Sequence, residues 1–342
     1  MTSAQHAHHA QPPETDGWFL FRGDGEVRRV SMPEPPPWRR FGAADAERGP
    51  GAGPRTADSP RPYLIGRPET DVVNAALHLR RPLLVTGHPG TGKSSLAYAV
   101  AREMSLGKVL RWTVNSRSSL AEALYQYDAV GRLRESNLRG DGSAREDSTP
   151  PESPDIGRYI RLGPLGTALL PSEAPRVLLV DELDKGDIDL PNDLLAVFEE
   201  GEFEIPELSR LPPGQDTVYV HALHADEPQP VHRGLVHCQE FPVVVITSNG
   251  EREFPPAFLR RCLRLDLPDP DEERLRAIVA AHLGEEALPR VEDLIQAFLA
   301  RRAPGELATD QLLNAAHLRL GGVDLHAQGL LNSVLRQLGG SA

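Results

Sequence analysis

Cysteine is almost missing from the 342-residue chain. Cys238 and Cys262 are the only two, too few for a disulfide framework and in keeping with a reducing compartment. Long apolar runs are missing as well: nothing approaches the roughly 18 residues of a membrane-spanning helix. Met1 to Pro13 is rich in His and Ala and holds no apolar signal core, so a cytoplasmic protein with no membrane partner is expected. Basic charge is in deficit, with 37 Lys and Arg against 49 Asp and Glu and a formal net charge of -12. That balance argues against a surface that binds nucleic acid by counterion release, although a local basic pore lining fits within an acidic total.

Proline and glycine are plentiful, at 32 and 30 residues, and many of the prolines fall early in the chain. Residues 1–60 read as a mostly disordered, Pro-rich arm, with a short aromatic strand over Gly17–Gly25 and a polyproline-like stretch over Met32–Phe41. An arm docking through Trp18 and Trp38 and a plain Pro-rich tail both fit this composition. The remaining length, at 39% hydrophobic residues overall, is enough for two domains with cores of their own.

Residues 61–268 read as an α/β domain. Its centre is Gly87-His88-Pro89-Gly90-Thr91-Gly92-Lys93-Ser94, the spacing G-x-x-x-x-G-K-[ST], placed between the apolar run Pro82–Thr86 and a helix expected over Ser94–Met104. Glycines let successive backbone N–H groups turn inward onto an anion, and the following helix offers the same anion its positive end. Lys93 is then expected on the β- and γ-phosphates of a nucleoside triphosphate, and the Ser94 hydroxyl on a Mg²⁺ ion bridging them. A second apolar run, Val177–Val180, ends in Asp181 and Glu182. A strand buried on both faces that releases two carboxylates at its C-terminal tip suits Asp181 as a Mg²⁺ ligand and Glu182 as the group activating water. A third run, Val243–Ile246, ends at Asn249, placed to hydrogen-bond the attacking water or the γ-phosphate from a neighbouring strand tip. Strands alternating with helices predict a parallel sheet with helices on both faces.

Further along, Arg260 and Arg261 close a short helix near Phe258 and suit a guanidinium that one subunit presents to the γ-phosphate of the next. A helix is expected over Ser118–Tyr127, and 139–156 and 209–238 read as insertions, the second irregular around an alternating Val218–His221. His224, His232, His237 and Cys238 in that segment fit a hairpin with scattered histidines better than a zinc site, because their spacing matches no compact ligand pattern. Residues 269–342 contain helical stretches at 271–283, 291–302, 309–320 and 324–338, a small all-helical lid domain.

In this order the motifs resemble the AAA+ ATPases, and within them the MoxR-like branch. The resemblance rests on Arg81–Gly87, Lys93-Ser94, Tyr125–Leu133, Gly163–Leu165, Leu179–Lys185, Thr247–Asn249 and Arg260-Arg261, and covers roughly residues 62–340. It implies Walker A at 87–94, Walker B at Asp181 and Glu182, sensor 1 at Asn249, and an arginine finger at Arg261 assisted by Arg260. The family's finger precedes an aromatic where this chain has Cys262, which leaves the choice between the two arginines open. Arg302 is the nearest candidate for a sensor 2 arginine. A ring, hexameric by resemblance, with ATP sites between subunits is implied, acting chaperone-like on client proteins that often carry von Willebrand A domains. A nucleotide-gated switch or scaffold, or an NTPase subunit of a nucleic-acid machine, are the rival expectations.

Overall fold

A computed structural model describes residues 65–140, 155–301, 307–325 and 330–335. The arm with Trp18 and Trp38, most of the 139–156 insertion and Arg302 lie outside the described residues. Helix α1 (Arg67–Leu79) carries Pro68 in its first turn, where a missing N–H costs nothing, and ends at Arg80 in a left-handed turn. It feeds β1 (Leu83–Thr86), and after the glycine-rich loop come α2 (Lys93–Glu103), β2 (Leu110–Thr113) and α3 (Leu120–Leu124). The Ser119 hydroxyl starts α3 by accepting the Glu122 N–H.

The helix expected over Ser118–Tyr127 stops at Leu124. Tyr125–Tyr127 is instead a strand, β3, which after α4 (Ala129–Gly140) pairs antiparallel with β4 (Ile160–Leu162). Tyrosines favour extended backbone, and the pairing that decides the matter lies beyond an intervening helix, out of reach of local periodicity. Then follow α5 (Pro164–Ala168), β5 (Val177–Asp181) and α6 (Leu190–Glu200).

Residues 209–238, expected to be irregular, are ordered, and their strands join one that precedes them. β6 (Glu202–Glu204), α7 (Pro206–Ser209), β7 (Thr217–Val220), β8 (Gln229–His232) and β9 (Leu235–His237) build an antiparallel sheet in the order β6–β9–β8–β7. The alternation noted at Val218–His221 is real: Val218 and Val220 are buried while Thr217 and Tyr219 face out. The chain returns through β10 (Val243–Ser248), α8 (Pro256–Leu259) and β11 (Leu263–Asp266).

Five strands form one parallel sheet in the order β11–β1–β10–β5–β2. Side chains alternate between two apolar layers, as strands covered on both faces require. Val85, Val177, Leu179 and Val245 pack with α1 and α2, whereas Leu84, Leu178, Val180 and Ile246 pack with α3, α5, α6 and α8. Every strand points the same way, so the loops after β1, β5 and β10 open onto a single edge.

A third apolar cluster belongs to α9 (Glu272–Leu283), α10 (Leu288–Arg301), α11 (Thr309–Leu320) and α12 (Leu330–Val334). Asp271 caps α9 by accepting the Arg274 N–H at 2.8 Å, and Arg274 also reaches Glu69 of α1 at 3.9 Å. No helix among the described residues is long and apolar enough to cross a membrane.

Phe298 is fully buried in the third cluster. Phe298→Ala is expected to destabilise the helical unit by about 3–5 kcal/mol, through lost burial and the cavity left behind. Chemical denaturation measures this, and a change within error of zero would show that these helices do not share one core.

Candidate functional site

The phosphate loop is a backbone structure first. Gly92 sits at φ 89 immediately before α2, and Gly90 at φ 80 lies so close to the start of α11 that a Cβ there would meet the Thr309 nitrogen at 2.7 Å. His88, Pro89 and Gly90 are exposed along the loop's crest, while Lys93 is buried beneath it. Its Nζ donates to the carbonyls of Gly87 at 2.6 Å and His88 at 2.9 Å. Burial pulls the Lys93 pKa down, against the opposing pull of Asp184, Glu182 and Asp181. Thr91 closes the loop by donating to the His88 carbonyl, and the His88 ring meets Asp269 at 3.0 Å on the way to α9.

At the tip of β5, Asp181 is almost completely enclosed and its carboxylate is shared among three side chains. Oδ1 accepts from the Ser94 hydroxyl at 2.6 Å and the Thr247 hydroxyl at 2.8 Å, and Oδ2 accepts from Arg111 Nη2 at 2.5 Å and Nε at 3.1 Å. Burial alone would push the Asp181 pKa up, but these bonds and the guanidinium charge hold it below the usual carboxylate value. Thr247 in turn accepts the Glu182 N–H at 2.9 Å. Glu182 itself occupies the left-handed region, φ 62 and ψ 50, and its Oε1 accepts from Lys185 Nζ at 2.7 Å. Asp184, one turn on, accepts the backbone N–H groups of Asn249 at 2.9 Å and Glu251 at 3.1 Å, and its Oδ1 is buried with no partner.

The expected residues Gly87 to Ser94, Asp181, Glu182 and Asn249 thus meet at one edge of the sheet. Ser94 and Asp181 together offer the hard oxygen donors that Mg²⁺ takes alongside phosphate and water, so the residues present fit that ion. Arg260 and Arg261 stand elsewhere. They precede β11 at the opposite end of the strands, where the Arg260 carbonyl accepts from Arg81 and Arg261 pairs with Glu199 at 2.6 Å. The length of β1 separates them from their own phosphate loop, roughly 13 Å at a strand's rise per residue.

No arginine occurs in the first turn of α11, Thr309-Asp310-Gln311-Leu312, whose Thr309 nitrogen stands beside Gly90. Among the described residues no group of three or more His, Cys, Asp and Glu side chains is placed to hold a metal, and His232 and His237 lie on β8 and β9. Arg111, Thr247, Asp184 and Lys185 had no assigned role in the sequence. The last three adjoin recognised motifs, which is a usable signal. Arg111 lacks one, since nothing local says that β2 will lie beside β5.

A parallel sheet with a glycine-rich loop after β1, a lysine and a serine opening α2, and an acidic pair two strands away defines a P-loop NTPase fold. No protein-family model and no curated protein matches the sequence. Solved structures similar to it include NtrX from Brucella abortus in complex with ATP, at 15% identity and TM-score 0.41, covering 79% of this chain and 55% of that one. NtrX in complex with ADP is similar at 15% identity and TM-score 0.38, covering 80% and 54%. The chain spans about half the length of those proteins.

Glu182 offers a test of backbone strain that is independent of turnover. A left-handed residue with a Cβ costs about 1 kcal/mol relative to glycine, so Glu182→Gly is expected to be more stable than Glu182→Ala by about that amount. Urea unfolding of the two variants decides it; equal midpoints would mean that the turn relaxes.

Proposed function

We propose that this chain is an AAA+ ATPase of MoxR-like type, hydrolysing ATP with Mg²⁺ at sites shared between subunits of a ring and using the turnover to remodel a client protein. The observation that carries the reading is the gathering of Lys93, Ser94, Asp181, Glu182 and Asn249 at one sheet edge while Arg260 and Arg261 lie at the other. In this reading α2 and the loop amides seat the phosphates, Lys93 exchanges its two carbonyl contacts for phosphate oxygens, and Ser94 with Asp181 would hold the metal. When bound, the metal neutralises charge on the β- and γ-phosphates. Glu182 leaves Lys185 to take a proton from the attacking water, and Asn249, tied through its N–H to Asp184, orients that water.

Arg260 and Arg261 lie away from their own phosphate loop, so in this reading either would act on the site of a second copy, in keeping with a closed ring such as a hexamer. The antiparallel sheet β6–β9–β8–β7 and the 139–156 insertion are the candidate client contacts, with a von Willebrand A domain as the class of client. The Lys185–Glu182 pair favours a second reading, a nucleotide-gated switch whose hydrolysis is slow.

Lys93→Ala is expected to abolish ATP binding, and unchanged affinity by calorimetry would remove the phosphate-site assignment. Glu182→Gln should bind ATP and lose turnover; for a remodeller it also locks the assembly in an inactive state, whereas a switch continues to signal. Arg261→Ala should bind ATP normally and turn over about 10³-fold more slowly. Mixing Arg261→Ala with Glu182→Gln subunits is expected to restore part of the activity, because some interfaces then carry an intact pair; no recovery at any ratio counts against shared sites.

A further inference from the structure

Arg111 is a third cation in the site, beside Lys93 and Lys185. On β2, Trp112 turns into one apolar layer, and Arg111 therefore faces the layer of α2, from which Ser94 also projects. Register sets Thr113 against Asp181 and Arg111 against Leu179, so the long arginine side chain runs up the sheet to the strand tip. There it meets Asp181 Oδ2 through two nitrogens, at 2.5 and 3.1 Å. Oδ1 is already taken by the two hydroxyls of Ser94 and Thr247, so Oδ2 is the part of the carboxylate left to face a metal's hydration shell. The partners differ in freedom: the Asp181 side chain is 5% exposed and fixed, whereas that of Arg111 is 31% exposed and has water to move into.

We propose that Arg111 competes with the divalent metal for Asp181, and so sets how strongly nucleotide binding at this site depends on Mg²⁺. The proposal rests on the reading of the loop as a nucleotide site. The physical basis is charge. With Arg111 in place, the Asp181 carboxylate is neutralised and Lys185 neutralises Glu182 in the same way, so the acidic pair presents little net attraction to a divalent ion. A metal arriving beside Ser94 meets a like charge that must swing outward before Oδ2 becomes accessible. Arg111 touches neither nucleotide nor the attacking water in this scheme and is a positioning residue.

The experiment measures binding. Affinity of the full chain for a fluorescent methylanthraniloyl derivative of ATP is determined in EDTA and in saturating MgCl₂, and the ratio of the two dissociation constants gives the coupling between metal and nucleotide. Removing one positive charge within several ångströms of a divalent ion is worth at least about a tenfold change, so Arg111→Gln should raise the coupling ratio about tenfold or more. Arg111→Lys keeps the charge, loses the two-nitrogen grip, and should raise it by a smaller factor, about threefold. A ratio unmoved in Arg111→Gln, or in Arg111→Lys should the Gln variant not fold, overturns the proposal. So does loss of binding in both EDTA and MgCl₂ by a folded Arg111→Gln variant, because Arg111 would then hold the nucleotide itself. Lys93→Ala separates the two levels of inference. If it binds the probe as the wild type does, the nucleotide site is wrong; if it does not, an unchanged ratio counts against Arg111 alone.

Discussion

The carboxylate of Asp181 is the constraint that everything around it satisfies. A buried anion without partners is costly enough to be neutralised by proton uptake, and this one is kept ionised by bonds from three different parts of the chain. Ser94 ties it to the helix after the phosphate loop, Thr247 to the neighbouring strand, and Arg111 to the strand on the other side. The three segments are distant in sequence and are brought together only by the strand order β1–β10–β5–β2. The sheet therefore assembles the site, and the anion in return registers α2, β10 and β2 against β5.

A second carboxylate repeats the device one turn further on. Asp184 accepts two backbone N–H groups from the turn after β10, and Thr247 accepts the Glu182 N–H, so the loops after β5 and β10 are sewn together in both directions. This stitching holds Glu182 in a backbone region that a residue with a Cβ avoids. The left-handed turn at Glu182 is thus held by the bond its N–H donates to Thr247 and by the bonds Asp184 accepts from the turn after β10.

Much of this was legible in residue order, for a physical reason. The phosphate loop depends on three closely spaced glycines, a lysine and a hydroxyl, and the acidic pair on a short apolar run that ends abruptly; both are local, so spacing reveals them. Three helices of the third cluster were legible too, with α10 beginning slightly earlier than its apolar pattern suggested; of the helix expected over 324–338 only Leu330–Val334 is helical among the described residues, and 324–325 are not. What was hidden depends on contact between remote segments. Tyr125–Tyr127 read as helix until β4 was seen beside it, and the stretch around Val231 and Val236 read as irregular because each of its strands is only three or four residues long. Arg111 carried no signal at all, since its partner is chosen by sheet order.

The contact between Gly90 and Thr309 gives the two folded units a common wall. There is no room for even a methyl group between the crest of the loop and the first turn of α11. Whatever rests on that crest is then hemmed in on one side by a helix belonging to a different hydrophobic cluster. A tilt of that cluster would change the space above the loop, because close-packed surfaces transmit displacement. At this point the loop and the helical cluster meet through van der Waals surfaces, with the His88–Asp269 contact as a polar link from the same crest.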